Sequence, residues 1–427
     1  MLMRFLIENH QSFREPAELS FVATARKDTP DLRFPSHHAP HGVLPVVGVW
    51  GANASGKSNL LHGLLFLCRA VELSDVGQAA TAPVQWSPWR LQRGEGAPPT
   101  RMELDFLMGE TRIHFGFRVD DRGFIEEWLY QWEGSRRQVL YHRDRTQDPG
   151  WYFGPSLKGR RADFAAETRD NSLYLSAAAQ RNHPQLLPIH QAITQGIGRD
   201  ARIGLTGHPT FSEDEPFLTP DLQPVLLRLI RAADLGITGI RIEEHEKRPD
   251  LPIELERVFQ PEFVAELVNR PLRKRMRLIF QRGQPGDLWE LPPESESRGT
   301  QIFLARITDV FNALRTGRLL VMDEIDTSLH PDLCIELVRL FTDPTTNPHR
   351  AQLLFATHDR DLLEHLRTDE VVLVDKGADG ASMLRTASEY KGLRTRDDLR
   401  RVHAQGRLGG VPTVGHFGAA LSRGLSK

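Results

Sequence analysis

The chain has 427 residues, enough for one large domain or two to three smaller ones with an ample core. Its 40% hydrophobic and 26% charged content is that of a soluble globular protein, and a net charge of −2 leaves any nucleic-acid contact to local patches. No apolar run reaches the ~18–20 residues of a membrane span, and the opening MLMRFLIENHQSF lacks the long apolar stretch of a secretion signal.

In chain order, residues 2–7 (LMRFLI) alternate and predict an edge or hairpin strand. Residues 26–45, rich in Pro, His and Arg, predict an irregular connection into the strand VVGVW at 46–50. That strand runs into GANASGKS, where Gly51, Gly56, Lys57 and Ser58 fit G-x-x-x-x-G-K-[ST]. Glycines let the backbone curl so that successive N–H groups face phosphate oxygens, Lys57 reaches the β/γ-phosphates, and the Ser58 hydroxyl ligates Mg²⁺. The helix that follows adds its positive end to the same place. Gly51, Asn53, Ala54, Ser55, Gly56, Lys57, Ser58 and Asn59 are therefore the candidate nucleotide-binding set.

From Ser58 to Ala70, Leu60, Leu61, Leu64, Leu65 and Leu67 recur at helical spacing. A Pro/Gly/Ala-rich loop region follows over 71–100. Four alternating segments between 101 and 153 predict an antiparallel β subdomain, its turns marked by GE, DDRG and EGS. Residues 160–285 read as mixed and mostly helical, with helical signals at 184–196, 222–234 and 261–268. From 300 onward helices alternate with the strands RLLVMD, AQLLFATH and EVVLVDK, which argues a parallel sheet with crossover helices. The fold class is α/β: a P-loop head in two halves, 1–158 and 291–427, with a largely helical insertion at 159–290.

The strand RLLVMDEID places Asp323 and Glu324 at its carboxyl end, where an α/β sheet holds its ligands. Asp323 suits a Mg²⁺ ligand, and Glu324 suits a base for the attacking water. His358 ends the next strand, one crossover away, within reach of a γ-phosphate. Lys57 and Asp323 lie much farther apart than one crossover unit, so other structure is inserted between the halves of the site. ESESRGTQ (Glu294 to Gln301) is a polar turn opening a helix, a second anion cradle. Spacing alone leaves open whether it serves its own site or that of another copy.

The order GANASGKS, then Ser297, Gly299, Thr300 and Gln301, then LLVMDE, DTSLHP (Asp326 to Pro331) and a strand ending in His resembles ABC-type ATPase heads. Among these it is similar to the AAA_15/AAA_21-like, RloA-like ATPases of bacterial abortive-infection and anti-phage loci. The likeness runs from RFLIENHQSF through TRDNSLYLSAAAQ (168–180) to the GRLGGVP tail (Gly406 to Pro412). It implies ATP as ligand and a homodimer sandwiching two ATPs. Ser297 and Gly299 of one chain would then contact the γ-phosphate held at Lys57 of the other, with Thr300 beside them. It also implies a separately encoded effector, a Toprim or HNH nuclease, since little room follows residue 376 for a fused Toprim domain. The signature departs from LSGGQ at Glu296 and Arg298, and Gln85 reads either as a Q-loop residue or as an ordinary loop glutamine.

Other features read more plainly. Arg270, Arg273, Lys274, Arg275 and Arg277, and the segment Lys391 to Arg401, are solvated basic faces or contacts for nucleic acid or an acidic partner. Trp86, Trp89, Trp128 and Trp132 read as core and rim of the β subdomain; His37, His38 and His41 read as loop residues. Cys68 and Cys334, far apart in apolar helical contexts, read as buried thiols of a reducing cytoplasm. The rival functions are a DNA-repair ATPase of the RecF or Rad50 kind, the ATPase subunit of a membrane transporter, and an ATP-holding scaffold with little turnover.

Overall fold

The computed structural model describes residues 1–24, 33–77, 82–84, 86–91, 97–199, 217, 219, 221–246, 274–284, 286–292, 295–393 and 398–410. Two sheets and the helix between them set the site. Strand β5 (Val46–Gly51) is buried at every position, which explains its unbroken apolar run. It lies parallel between β16 (Gln352–Ala356) and β17 (Val371–Lys376). Beyond β16 come β15 (Leu319–Met322) and β11 (Ile197–Arg199), both parallel, and β18 (Ser382–Thr386) pairs antiparallel with β17. The phosphate loop, the acid pair and His358 thus follow the carboxyl ends of the neighbouring parallel strands β5, β15 and β16 of one sheet.

The antiparallel subdomain is larger than the pattern at 101–153 indicates. Strands β6 (Thr100–Met108), β7 (Thr111–Asp120), β8 (Gly123–Glu133), β9 (Arg136–Asp144) and β10 (Trp151–Phe153) join β1 (Leu2–Glu8) and β2 (Ala17–Ser20) in one seven-stranded sheet. Strand β1 forms a hairpin with β2 and also pairs with β6, so it is an interior strand and not an edge.

Helix α1 (Lys57–Leu73) lies between the two sheets. One core joins its Leu60, Leu64 and Leu67 to Phe5 and Phe115 of the antiparallel sheet and to Val47, Val49 and Val374 of the parallel one. The alternate residues Val46 and Trp50 face a second core, with Leu304 and Ile307 of helix Arg298–Thr316 and Leu337 of helix Pro331–Thr342.

Residues 159–290 depart from the helical expectation. Helices Arg161–Glu167, Tyr174–Gln180, Leu186–Thr194 and Gln223–Ala232 are present, and the signal at 261–268 lies outside the described residues. The same stretch also forms a three-stranded antiparallel sheet, β12 (Gly239–Glu246), β13 (Lys274–Gln284) and β14 (Asp287–Leu291). Leu278 and Phe280 of β13 pack in the second core with Leu226 and Ile230, so the hydrophobic stripe of helix Gln223–Ala232 covers this sheet. The helix expected between the strands AQLLFATH and EVVLVDK is a short 3₁₀ segment, Asp361–His365.

Candidate functional site

The phosphate loop is shaped by close packing. Gly56 caps α1 with φ 116°, and a Cβ there would lie 2.3 Å from Ser382 Oγ and 2.6 Å from Ser12 Oγ. These two serines, from β18 and from the turn after β1, bond to each other at 2.8 Å, and Ser382 also donates to the Ser55 carbonyl. Asn59 donates its side-chain amide to Ser12 Oγ at 2.8 Å. Ala54 also takes a left-handed φ, 62°.

Lys57 is buried, and its ammonium donates to the carbonyls of Gly51 (2.9 Å) and Ala52 (3.2 Å). Burial lowers its pKa, opposed by Asp323, Asp326 and Glu324, which are near enough for their charges to act on it. The exposed His358 shares that field. Partial desolvation and then Lys57 hold its pKa below 6.5, against the pull of Asp326, Glu324 and Asp323. The structure therefore gathers Lys57, Asp323, Glu324 and His358, as their places at strand ends predict, and adds Asp326.

Glu324 has φ 49°, and its Oε2 accepts from Thr327 Oγ1 at 2.9 Å. Arg306, 1% exposed, reaches over from helix Arg298–Thr316 to hold the turn. It donates to the carbonyls of Glu324 (2.7 Å), Ile325 and Thr327 (3.4 Å). Asp326 Oδ1 accepts from Thr357 Oγ1 at 2.7 Å, which locks the turn to the end of β16.

The atoms present suit Mg²⁺ and a triphosphate. Asp323 Oδ1 and Ser55 Oγ are buried without a hydrogen-bond partner, and Gly51 and Gly56 let the loop close up where a Cβ would collide with Ser55, Val374, Ser382 and Ser12. A carboxylate with the Ser58 hydroxyl is the hard oxygen set that Mg²⁺ takes, with phosphates and water completing the shell.

The model of the family described as "AAA domain, putative AbiEii toxin, Type IV TA system" matches residues 46–364, well over half of the chain. The chain belongs to this AAA_21 family. Among solved structures, the SMC head domain from Thermotoga maritima is similar at 16% identity and a TM-score of 0.38, covering 90% of this chain and 98% of that one. No curated protein matches.

In this AAA_21 chain the signature turn is built as an ordinary helix start. Ser297 caps helix Arg298–Thr316, its Oγ accepting from the Thr300 N–H at 3.1 Å and lying 2.9 Å from Thr300 Oγ1. Glu296 is buried and takes a two-pronged ion pair from Arg282 of β13, at 2.7 and 3.2 Å, so the turn is anchored to the three-stranded sheet. A Cβ on Gly299 would lie 2.9 Å from the Ser328 carbonyl. Among the described residues no hydrogen bond or ion pair joins Ser297, Gly299 or Thr300 to residues 51–59 of the same chain. Gln85, Arg270 and Arg273 lie outside the described residues. Trp89 and Trp128 are buried, and burial pushes the Cys68 and Cys334 thiols up to about 12.

Sequence reasoning missed Arg306 and Ser382. Ser12 lay in the quoted opening motif, and Asp326 in DTSLHP, but neither had been assigned a role. A buried arginine in an otherwise amphipathic helix was the one available signal.

Proposed function

We propose that this protein is a cytoplasmic, ATP-hydrolysing switch that works as a homodimer closed over two ATP molecules. The observation carrying this reading is the convergence of Asp323, Glu324, Asp326 and His358 on the buried Lys57. In this reading Lys57 leaves the Gly51 and Ala52 carbonyls and turns its ammonium to the γ-phosphate. Glu324, held by Thr327 and by the Arg306 clamp on its carbonyl, orients a water and takes its proton as that oxygen bonds to the γ-phosphorus. The bond from phosphorus to the bridging oxygen breaks, and ADP leaves. His358 orders the γ-phosphate through a hydrogen bond. Ser58 and Asp323 would hold Mg²⁺, which would supply charge neutralisation. Ser297 and Gly299 serve the phosphate loop of the partner chain. The close approach of Gly299 to the Ser328 carbonyl supports this role, since closure of the dimer would then bear on the turn that begins at Glu324.

The output is control of a separately encoded effector, a Toprim- or HNH-type nuclease, in an anti-phage abortive-infection system. Supporting this reading are the resemblance to abortive-infection ATPases and the family description, which names a putative toxin of a toxin–antitoxin system. The test is Glu324→Gln. Phosphate release should fall by at least about 100-fold while ATP still binds and drives a long-lived dimer, measured by light scattering, and phage protection should be lost. Turnover near that of the wild type would remove Glu324 as the base; a monomer at saturating ATP would remove the sandwich.

A further inference from the structure

The chain passes the phosphate loop a second time, more than three hundred residues later. Strand β17 pairs with β5 so that Val374 lies beside Gly51, and the next two residues reach in opposite directions. Lys376 donates to the Ala54 carbonyl at 3.2 Å, inside the loop. Asp375 accepts from the Gly410 N–H at 2.5 Å, in the segment Gly406–Gly410 that follows helix Leu399–Ala404. That segment is held from behind by Leu408, fully buried in a core shared with Leu399 and Val402.

Its glycines are required where they stand. Gly406, Gly409 and Gly410 have φ of 72°, 72° and 67°. A Cβ on Gly409 would lie 2.4 Å from Asp375 Oδ2. A Cβ on Gly410 would lie 3.3 Å from the Cα of Gly51, the first glycine of the phosphate loop. The other face of that same residue is read by Lys57, whose ammonium sits on the Gly51 carbonyl.

We propose that residues 406–410 form a strap that positions the phosphate loop and responds to its occupancy, with Asp375, Gly409 and Gly410 as positioning residues. Lys57 must release the Gly51 carbonyl to meet a triphosphate, and the freed peptide is backed by Gly410. ATP binding and strap docking are then linked equilibria, and the linkage is reciprocal: what detaches the strap weakens ATP, and ATP tightens the strap. This rests on the proposed nucleotide reading in taking ATP as the ligand.

The test uses the full-length chain and a fluorescent ATP analogue with Mg²⁺. Gly409→Ala and Asp375→Ala should weaken binding about tenfold and raise KM more than they lower kcat. Asp375→Asn, which keeps an acceptor oxygen for Gly410, should bind within about twofold of wild type. In the wild-type chain, whose folding is not in question, amide exchange over 399–410 should slow about fivefold when Mg–ATP saturates the site. Unchanged affinity in a folded Gly409→Ala chain, or unchanged exchange in the wild type, overturns the strap while leaving the nucleotide reading intact. A wild-type chain that binds no ATP, or binds it equally well after Lys57→Ala, overturns both.

Discussion

Arg306 shows how one side chain can carry the geometry of the turn that holds Glu324, the proposed base. Glu324 sits at a left-handed φ of 49°, a conformation that costs about 1 kcal/mol or more outside glycine. The buried guanidinium holds it there by bonding the carbonyls of Glu324, Ile325 and Thr327 together. Arg306→Met leaves those carbonyls without this donor and should lower unfolding free energy by about 3–5 kcal/mol, read from urea titration. Arg306→Lys keeps the charge but cannot span three carbonyls. Its expected signature is kinetic: kcat down about tenfold or more with ATP affinity nearly kept, because the proposed base is displaced while the phosphate loop is not. A lysine variant with unaltered kcat would show that Arg306 serves packing alone.

Among the elements, α1 is pinned at both ends, and the segment TRDNSLYLSAAAQ belongs to the end far from the loop. Ser176 Oγ donates to the Val71 carbonyl at 2.5 Å, Ser172 Oγ to Ser74 O at 2.9 Å, and Arg169 to Asp75 O at 2.6 Å. These donors satisfy carbonyls that a helix end leaves open. The segment is held in turn by Glu127 of β8, fully buried, which accepts from the Tyr174 and Leu175 N–H groups and from Tyr141 Oη. Glu127→Ala strands all three donors and should cost about 3–5 kcal/mol, seen as a lower urea midpoint at unchanged slope. The phosphate loop lies ~25 Å away at 1.5 Å per helical residue, so ATP affinity of the folded fraction should hold. A large loss of affinity would mean that α1 transmits strain along its length. These elements also show what a sequence can disclose. The loop, the acid pair and His358 were legible because each is a contiguous motif ending a strand in a βα alternation. The supports were not, because each is one residue of ordinary type contributed from far away; Ser12 and Ser382 are separated by 370 positions. The three-stranded sheet was missed for a different reason. Ile240 and Ile242 do alternate with charges, but helical signals on either side dominated the stretch, and the helix just before it, Gln223–Ala232, covers its apolar face.

At the scale of the whole molecule, the two cores enclose histidines that must stay neutral, and this sets an acid limit. His10, His183, His190 and His403 are all buried with pKa lowered chiefly by burial, His10 to about 4 with His62 adding to the effect. His183 Nδ1 accepts the Gln185 N–H at 3.2 Å, a bond that exists only while that nitrogen lacks a proton. In the unfolded chain each returns to about 6.5, so between pH 6.5 and 4 the unfolded state binds more protons and stability rises with pH. Acidification therefore removes stability as pH falls from about 6.5, a window that opens above the range where exposed carboxylates titrate. His10 alone accounts for roughly 2 kcal/mol by pH 5 and saturates below pH 4, at 1.36 kcal/mol per pH unit. Unfolding free energies from urea titration at pH 7 and pH 5 should differ by at least that amount in the wild type. His10→Leu keeps an apolar side chain against Phe66 and removes the titration, so its difference between the two pH values should be smaller by about 2 kcal/mol, whatever its absolute stability. Equal differences in the two chains would mean that the imidazole at position 10 accepts a proton in the folded state, and that the loop from β1 to Ser12, which braces Gly56, is open to water.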